Sequence, residues 1–306
     1  MTKTTTAPGP WQLFWRRFRG DRIALTALGF ITLVVLVAVF APLIVKVIGH
    51  PPNAQYPDRL DPSFGTPTGP SKDFVFGVDA VGSDVFSRVL YGARISLLVA
   101  LVGTAMATAI GGVLGTLAGY YRGVVDTIIS RAIDVMLAFP LLLLALGIAS
   151  ACSLGNGCLG GVIKPGAGTV IGIIVLFSWT YVARLVRGQV LSLREREFVE
   201  AARASGAGGG SILLREIFPN LVTPLVVYSA LVIPQNILLE AALSYLGVGI
   251  APPQASWGQM IAEATPLFAS AWWYFLFPGV ALVLTVLAFS LVGEGIRDAL
   301  DPYLAK

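Results

Sequence analysis

Six stretches of this chain carry no Asp, Glu, Lys or Arg over lengths that suit a lipid bilayer: Ile23–Val45, Ile95–Tyr121, Val135–Ile163, Pro165–Ala183, Ile217–Leu239 and Ala264–Gly293. A helix rises about 1.5 Å per residue, so about 20 residues cross the roughly 30 Å of hydrocarbon. Each stretch can therefore cross once. The 29 residues of Val135–Ile163 exceed one span, and the polar SLGNGC segment after Ala151 is predicted to form a loop. A seventh uncharged stretch, Ala241–Ala262, is rejected as a span. Gly247, Gly249, Pro252, Pro253, Gln254, Trp257 and Gln259 would break a helix there and leave backbone groups unpaired in lipid. A re-entrant or surface loop is expected instead. Only 12% of the residues are charged, against about 25% in soluble domains. The expected fold class is an all-α integral membrane protein of six transmembrane helices.

Basic residues set the orientation. With both termini cytoplasmic, fifteen of the 21 Lys and Arg residues fall inside and six outside. The organisation follows: a cytoplasmic segment 1–22, a first span 23–48, an extracytoplasmic loop 49–92, a core 93–300 and a cytoplasmic tail 301–306. In the first segment, Trp11, Phe14, Trp15, Arg16, Arg17 and Phe18 mix aromatic and basic residues at helical spacing, as an interfacial helix does. The sequence pI near 9.2 reports topology, and no basic-aromatic groove points to nucleic acid. The first span is too long for a signal-peptide core and is read as retained.

Gly111, Gly115 and Gly119 place a small residue at every fourth position of the second span, which lets a neighbouring helix backbone come close. Pro140, Pro224, Pro234 and Pro278 each remove a helix hydrogen bond and permit a kink. The two cysteines, Cys152 and Cys158, share a short outside loop. A disulfide between them and two free thiols remain as alternatives.

Catalytic chemistry has no constellation here. There is no G-x-x-x-x-G-K-[ST], no H-E-x-x-H and no nucleophile–base pair, and the single histidine, His50, is read as a loop residue. No cofactor or metal site is expected, and the chain is expected not to be an enzyme. Energy for transport then comes from an ion gradient or from a partner's ATP. Asp134, read beside Arg131 at a span end, and Glu240 do not make a chain of carboxylates, which argues against an ion-driven secondary carrier.

The region 190–219 is a polar island between apolar spans. Six Arg and four Glu lie between Arg184 and Glu216. Glu200, Ala201 and Ala202 are placed on a helix continuing from Arg194, and Glu200 is available to pair with a basic residue. Gly206 supplies the left-handed conformation that ends a helix. Ser211 is expected to cap a second helix, Ile212–Ile217, and Pro219 to mark re-entry into the membrane.

This spacing, Glu-Ala-Ala, three residues, Gly, and a Pro thirteen residues later, resembles the coupling loop of bacterial ABC-importer permeases. The match runs in register from Glu200 to Pro219, departing at Phe218 and in the Gly208–Gly210 run. FGVDAVGSDVFSRVLYGARISL (Phe76–Leu97), LLEAALSYLGVGIAPPQASWGQMI (Leu238–Ile261) and GEGIRDALDP (Gly293–Pro302) resemble the dipeptide/oligopeptide/nickel permeases, C-type subunit, although Val78 and Ser83 stand where that family usually has Thr and Arg.

The resemblance implies a type I ABC importer permease fold in the bacterial cytoplasmic membrane. It also implies a heterodimer with a homologous B-type permease subunit, two ABC ATPase subunits that bind ATP and magnesium, and an extracytoplasmic substrate-binding protein. Short peptides are the leading substrate, with nickel chelates or another small solute as the alternative. Gln235, Asn236, Glu240 and Tyr245 are the polar groups available to face a translocation path. Helix–helix hydrogen bonding is the competing role for each.

Overall fold

The computed structural model describes residues 10–153 and 166–300. Among the described residues all regular structure is helical apart from two isolated β-bridges, Leu60–Pro67 and Val78–Asp84. Eleven helices follow in chain order: α1 (Pro10–Phe18), α2 (Arg22–Val47), α3 (Val85–Tyr121), α4 (Gly123–Ala138), α5 (Leu141–Ser153), α6 (Ala167–Leu193), α7 (Glu197–Ala204), α8 (Gly209–Ile212), α9 (Phe218–Tyr245), α10 (Trp257–Ala264) and α11 (Trp272–Leu300). A π-turn, Leu213–Ile217, joins α8 to α9. Among the described residues five helices are long and apolar enough to cross a membrane: α2, α3, α6, α9 with its α8 extension, and α11. The count becomes six if α4 and α5 form one broken span.

Those two helices depart most from the expected pattern. The uncharged run beginning at Val135 predicts one span. The chain instead bends by 88° between α4 and α5, at Phe139–Pro140, where proline has no N–H to continue the helix and disfavours helical geometry in the residue before it. Asp134, read beside Arg131, instead accepts a hydrogen bond from Arg184 of α6 at 2.9 Å. One turn further along α6, Arg187 grips Asp126 of α4 with two bonds of 2.5 and 2.8 Å. Cys152 is buried in α5. Cys158, and with it the choice between a disulfide and two free thiols, lies outside the described residues, as does the tail 301–306.

Capping sets other boundaries. Asp21 accepts from the backbone N–H groups of Ile23 and Ala24 and opens α2. Asp84 accepts from Phe86 N and Ser87 Oγ, so α3 begins at Val85 rather than at the edge of the apolar run. The rejected stretch 241–262 does not span. After α9 ends at Tyr245 the backbone turns through residues 246–256, and Trp257 and Gln259, expected to disfavour a helix, sit in the short α10 capped by Ser256. Consequently α11 starts at Trp272, eight residues beyond the expected Ala264.

The glycine stripe explains the tightest packing. Among the described residues α3 and α6 make the most extensive helix–helix contact. A Cβ built on Gly111 would lie 2.6 Å from Trp179 O, and one on Gly115 2.5 Å from Ala183 O. A Cβ on Gly119 would lie 2.7 Å from Val190 Cβ. Only glycine lets the backbones meet this way.

The segment before α3 is ordered by its own polar groups. Asp79, fully buried, accepts from Val81 N and Ser83 N and pairs with the buried Arg88. Arg88 also reaches Glu263 of α10 at 3.2 Å, and Tyr274 of α11 hydrogen-bonds the same carboxylate. Trp273 Nε1 donates to Val78 O at 3.2 Å. Four separate segments thus converge on one ion-pair cluster.

Candidate functional site

Two regions of the bundle carry the sequence-predicted residues. The first is the polar loop at the α1 end. α6 stops at Leu193, Arg194–Arg196 form a turn, and α7 begins anew at Glu197, so Glu200, Ala201 and Ala202 lie on a separate short helix. Its end is built around Gly206, at φ +80°. Ala207 N donates to Ala202 O at 3.0 Å and Gly206 N to Arg203 O at 2.9 Å. These paired bonds with a left-handed glycine form a Schellman cap, as expected of Gly206. Ser211 does not cap the next helix. That helix starts three residues earlier than expected, at Gly209, with Gly208 in the cap position and no side-chain bond. Phe218 N reaches back five residues to Leu213 O across the π-turn, and Pro219 sits in the first turn of α9.

The loop has one buried and one exposed face. Val199, Ile212, Ile217 and Leu221 are buried against Val182, Val186 and Val190 of α6, with Ala202 packed at the edge. Glu200, Ala201 and Gly206 are exposed, beside Phe198 and Leu214, the latter 70% exposed. Among the described residues Glu200 makes no ion pair. Arg194, by contrast, is tied down. It donates to Tyr120 O at 2.7 Å, and burial beside Arg122 and Arg203 lowers its pKa from the usual guanidinium value.

The second region is a cavity of about 450 Å³ between α5, α6 and α9, within the range of small-molecule sites (roughly 300–1,000 Å³). Its polar lining is Ser178 and Tyr181 of α6 with Tyr228, Gln235 and Asn236 of α9, and Leu141, Val232 and Leu239 supply apolar walls. Of the expected set, the sequence neighbours Gln235 and Asn236 line it. Glu240 and Tyr245 do not line this cavity. Glu240 is fully buried and accepts a hydrogen bond from Ser244 at 2.8 Å, and Tyr245 stands exposed at the end of α9.

Asn236 also has the competing role. Its Nδ2 donates to Thr104 Oγ1 of α3 at 2.8 Å, and its Oδ1 accepts from Ser178 of α6 at 3.1 Å. It therefore ties three helices together at the cavity wall. Tyr181 and Tyr228 were not among the expected path residues. Each sits in an apolar run with no local motif, and only the meeting of α6 with α9 makes them neighbours.

The architecture defines a class before it defines a family. The solved crystal structure of an amino acid ABC transporter with histidines superposes with TM-score 0.52, covering 68% of this chain and 92% of that one at 15% identity, so the two share a fold. The chain belongs to the family of binding-protein-dependent transport system inner membrane components, whose model matches residues 111–306. The N-terminal TM domain of oligopeptide transport permease C matches residues 9–63. Similar proteins include the dipeptide transport system permease protein DppC of Alkalihalophilus pseudofirmus, 38% identical over 97% of this chain and 91% of that one. The glutathione transport system permease protein GsiD of Escherichia coli is 43% identical over 96% of this chain and 90% of its own. The GsiD of Pectobacterium atrosepticum is 39% identical over 96% and 92%. The molecule is a multi-pass membrane subunit of an ABC importer.

Proposed function

We propose that this chain is half of the pore of an ATP-driven importer of short peptides in the bacterial cytoplasmic membrane. It has six spans, α4 and α5 together making the third, and both termini are cytoplasmic. A homologous B-type permease completes the pore. Two ABC ATPases, which bind and hydrolyse the ATP, dock on the coupling loops, and an extracytoplasmic binding protein delivers substrate. The relatives are named for transport of a dipeptide and of glutathione, both short peptides, which supports that class over nickel chelates.

The observation that carries the proposal is the two-faced loop. Its exposed face, with the unpaired Glu200, Ala201 and Leu214, is open to a partner, while its buried face is fixed to α6 by Val199, Ile212 and Ile217. A push on α7 is then a push on α6. The glycine stripe locks α6 to α3, and Asn236 bonds both to α9. Since α6 and α9 are also the walls of the cavity, motion of the loop changes the cavity's access from one side of the membrane to the other. Rigid-body rocking of packed helices is the expected form of such a switch.

The test is uptake of a labelled dipeptide, a labelled oligopeptide and labelled glutathione into cells with and without this gene, with excess nickel as competitor. Peptide uptake that disappears with the gene and ignores nickel is the expected result. Uptake unchanged by loss of the gene refutes the peptide assignment.

A further inference from the structure

The cavity between α5, α6 and α9 has a chemical character that narrows what it can read. None of its lining residues is charged. The ion pairs nearest in sequence join Arg184 with Asp134 and Arg187 with Asp126, and none of the four is a lining residue. Glu240, one turn beyond Asn236, is fully buried and turned to Ser244. Of the polar lining groups, Ser178 and Asn236 are occupied with each other and with Thr104. The Gln235 amide and the Tyr181 and Tyr228 hydroxyls hydrogen-bond to no group among the described residues, and Gln235 and Tyr181 are exposed. Three neutral donor–acceptor groups therefore converge with nothing of their own to bind.

Resting on the peptide-importer reading, we propose that Gln235, Tyr181 and Tyr228 form a charge-free half-site. It hydrogen-bonds the amide groups common to all peptides and leaves side-chain charge unread. A primary amide matches a peptide bond in both directions, N–H to C=O and C=O to H–N, and a phenol both donates and accepts. A charged lining group would instead favour peptides of one sign, on the order of ten-fold or more at contact distances in a partly desolvated site. Selection by side-chain charge is thus left to the delivering protein, and this half-site passes cationic, neutral and anionic peptides alike.

The experiment uses cells lacking the chromosomal gene, carrying the wild-type chain, Gln235→Glu or Gln235→Lys, with the other transporter components unchanged. Uptake of labelled lysyl-lysine, alanyl-alanine and glutamyl-glutamate is compared as ratios, each divided by the wild-type ratio so that preferences of the binding protein cancel. Gln235→Glu is expected to raise the lysyl-lysine to glutamyl-glutamate ratio about ten-fold and Gln235→Lys to lower it about as much. An unshifted ratio in both transporting variants overturns the half-site while leaving the importer reading intact. Wild-type cells that take up none of the three peptides overturn the importer reading and the half-site with it. Should the charged variants fail to reach the membrane, the volume-conserving Tyr181→Phe/Tyr228→Phe double variant decides. Uptake of all three peptides reduced several-fold at normal membrane abundance is expected, and full uptake refutes the proposal.

Discussion

Substituting Gly115 by Ala adds one methyl group at the place where α3 and α6 are closest. That carbon would lie 2.5 Å from Ala183 O, 2.9 Å from Val186 Cβ and 3.0 Å from Ala183 Cα. Ordinary contact begins near 3.4 Å, so the helices must part locally by about 1 Å, since the opposing atoms are mostly backbone and cannot rotate away. Overpacking of this kind costs roughly 1–3 kcal/mol. Gly112, three residues earlier on the same helix, supplies the control. Its added carbon would meet only Leu225 methyl groups at 3.7 Å. Gly112→Ala is therefore expected to be neutral or to gain a few tenths of a kcal/mol from helix propensity. Thermal melting of the two variants in detergent, read as the loss of a monodisperse chromatographic peak, should place Gly115→Ala several degrees below Gly112→Ala. Equal midpoints, or a higher one for Gly115→Ala, would refute the close approach of α3 and α6.

Three further substitutions test other parts of the structure. Gly206→Pro removes the N–H that bonds Arg203 O and forbids the φ of +80°. ATP hydrolysis should persist while uptake falls, and normal uptake would sink the coupling role of the loop. Asn236→Leu deletes two interhelical hydrogen bonds, each averaging about 0.6 kcal/mol in a membrane bundle. A melting midpoint lowered by a few degrees is expected, and an unchanged one would show that the three helices are held otherwise. Arg88→Met leaves the fully buried Asp79 without its cation, at a cost of about 3–5 kcal/mol. Membrane abundance should collapse for Met and fall less for Lys, which keeps the charge but cannot bridge Asp79 and Glu263 together. Equal abundance for Met and wild type would contradict the cluster.

The parts legible in the sequence share one property: their physics is local. Apolar length located α2, α3, α6, α9 and α11 because a bilayer demands about 20 uninterrupted residues. The Gly206 cap was legible because a left-handed residue ending a short helix needs glycine within that same turn. The stripe at Gly111, Gly115 and Gly119 announced a close helix partner without identifying α6 as that partner.

Tertiary structure decided what depends on residues far apart in the chain. Asp79, Arg88, Glu263 and Tyr274 form one cluster although up to 195 positions separate them, and no spacing rule connects such groups. Tyr181 and Tyr228 became cavity residues only when α6 met α9. Glu240 and Asn236 looked equivalent as polar residues in one apolar span. Their surroundings part them: Asn236 touches the cavity and two helices, while Glu240 is enclosed. The sequence by itself determined that this chain lies in a bilayer and presents a polar loop at one end, because hydrophobic length and turn chemistry are written residue by residue. Which helix bears on which, where the cavity opens and which polar groups remain free were settled by packing, because a side chain's role there depends on the neighbours that the fold brings to it.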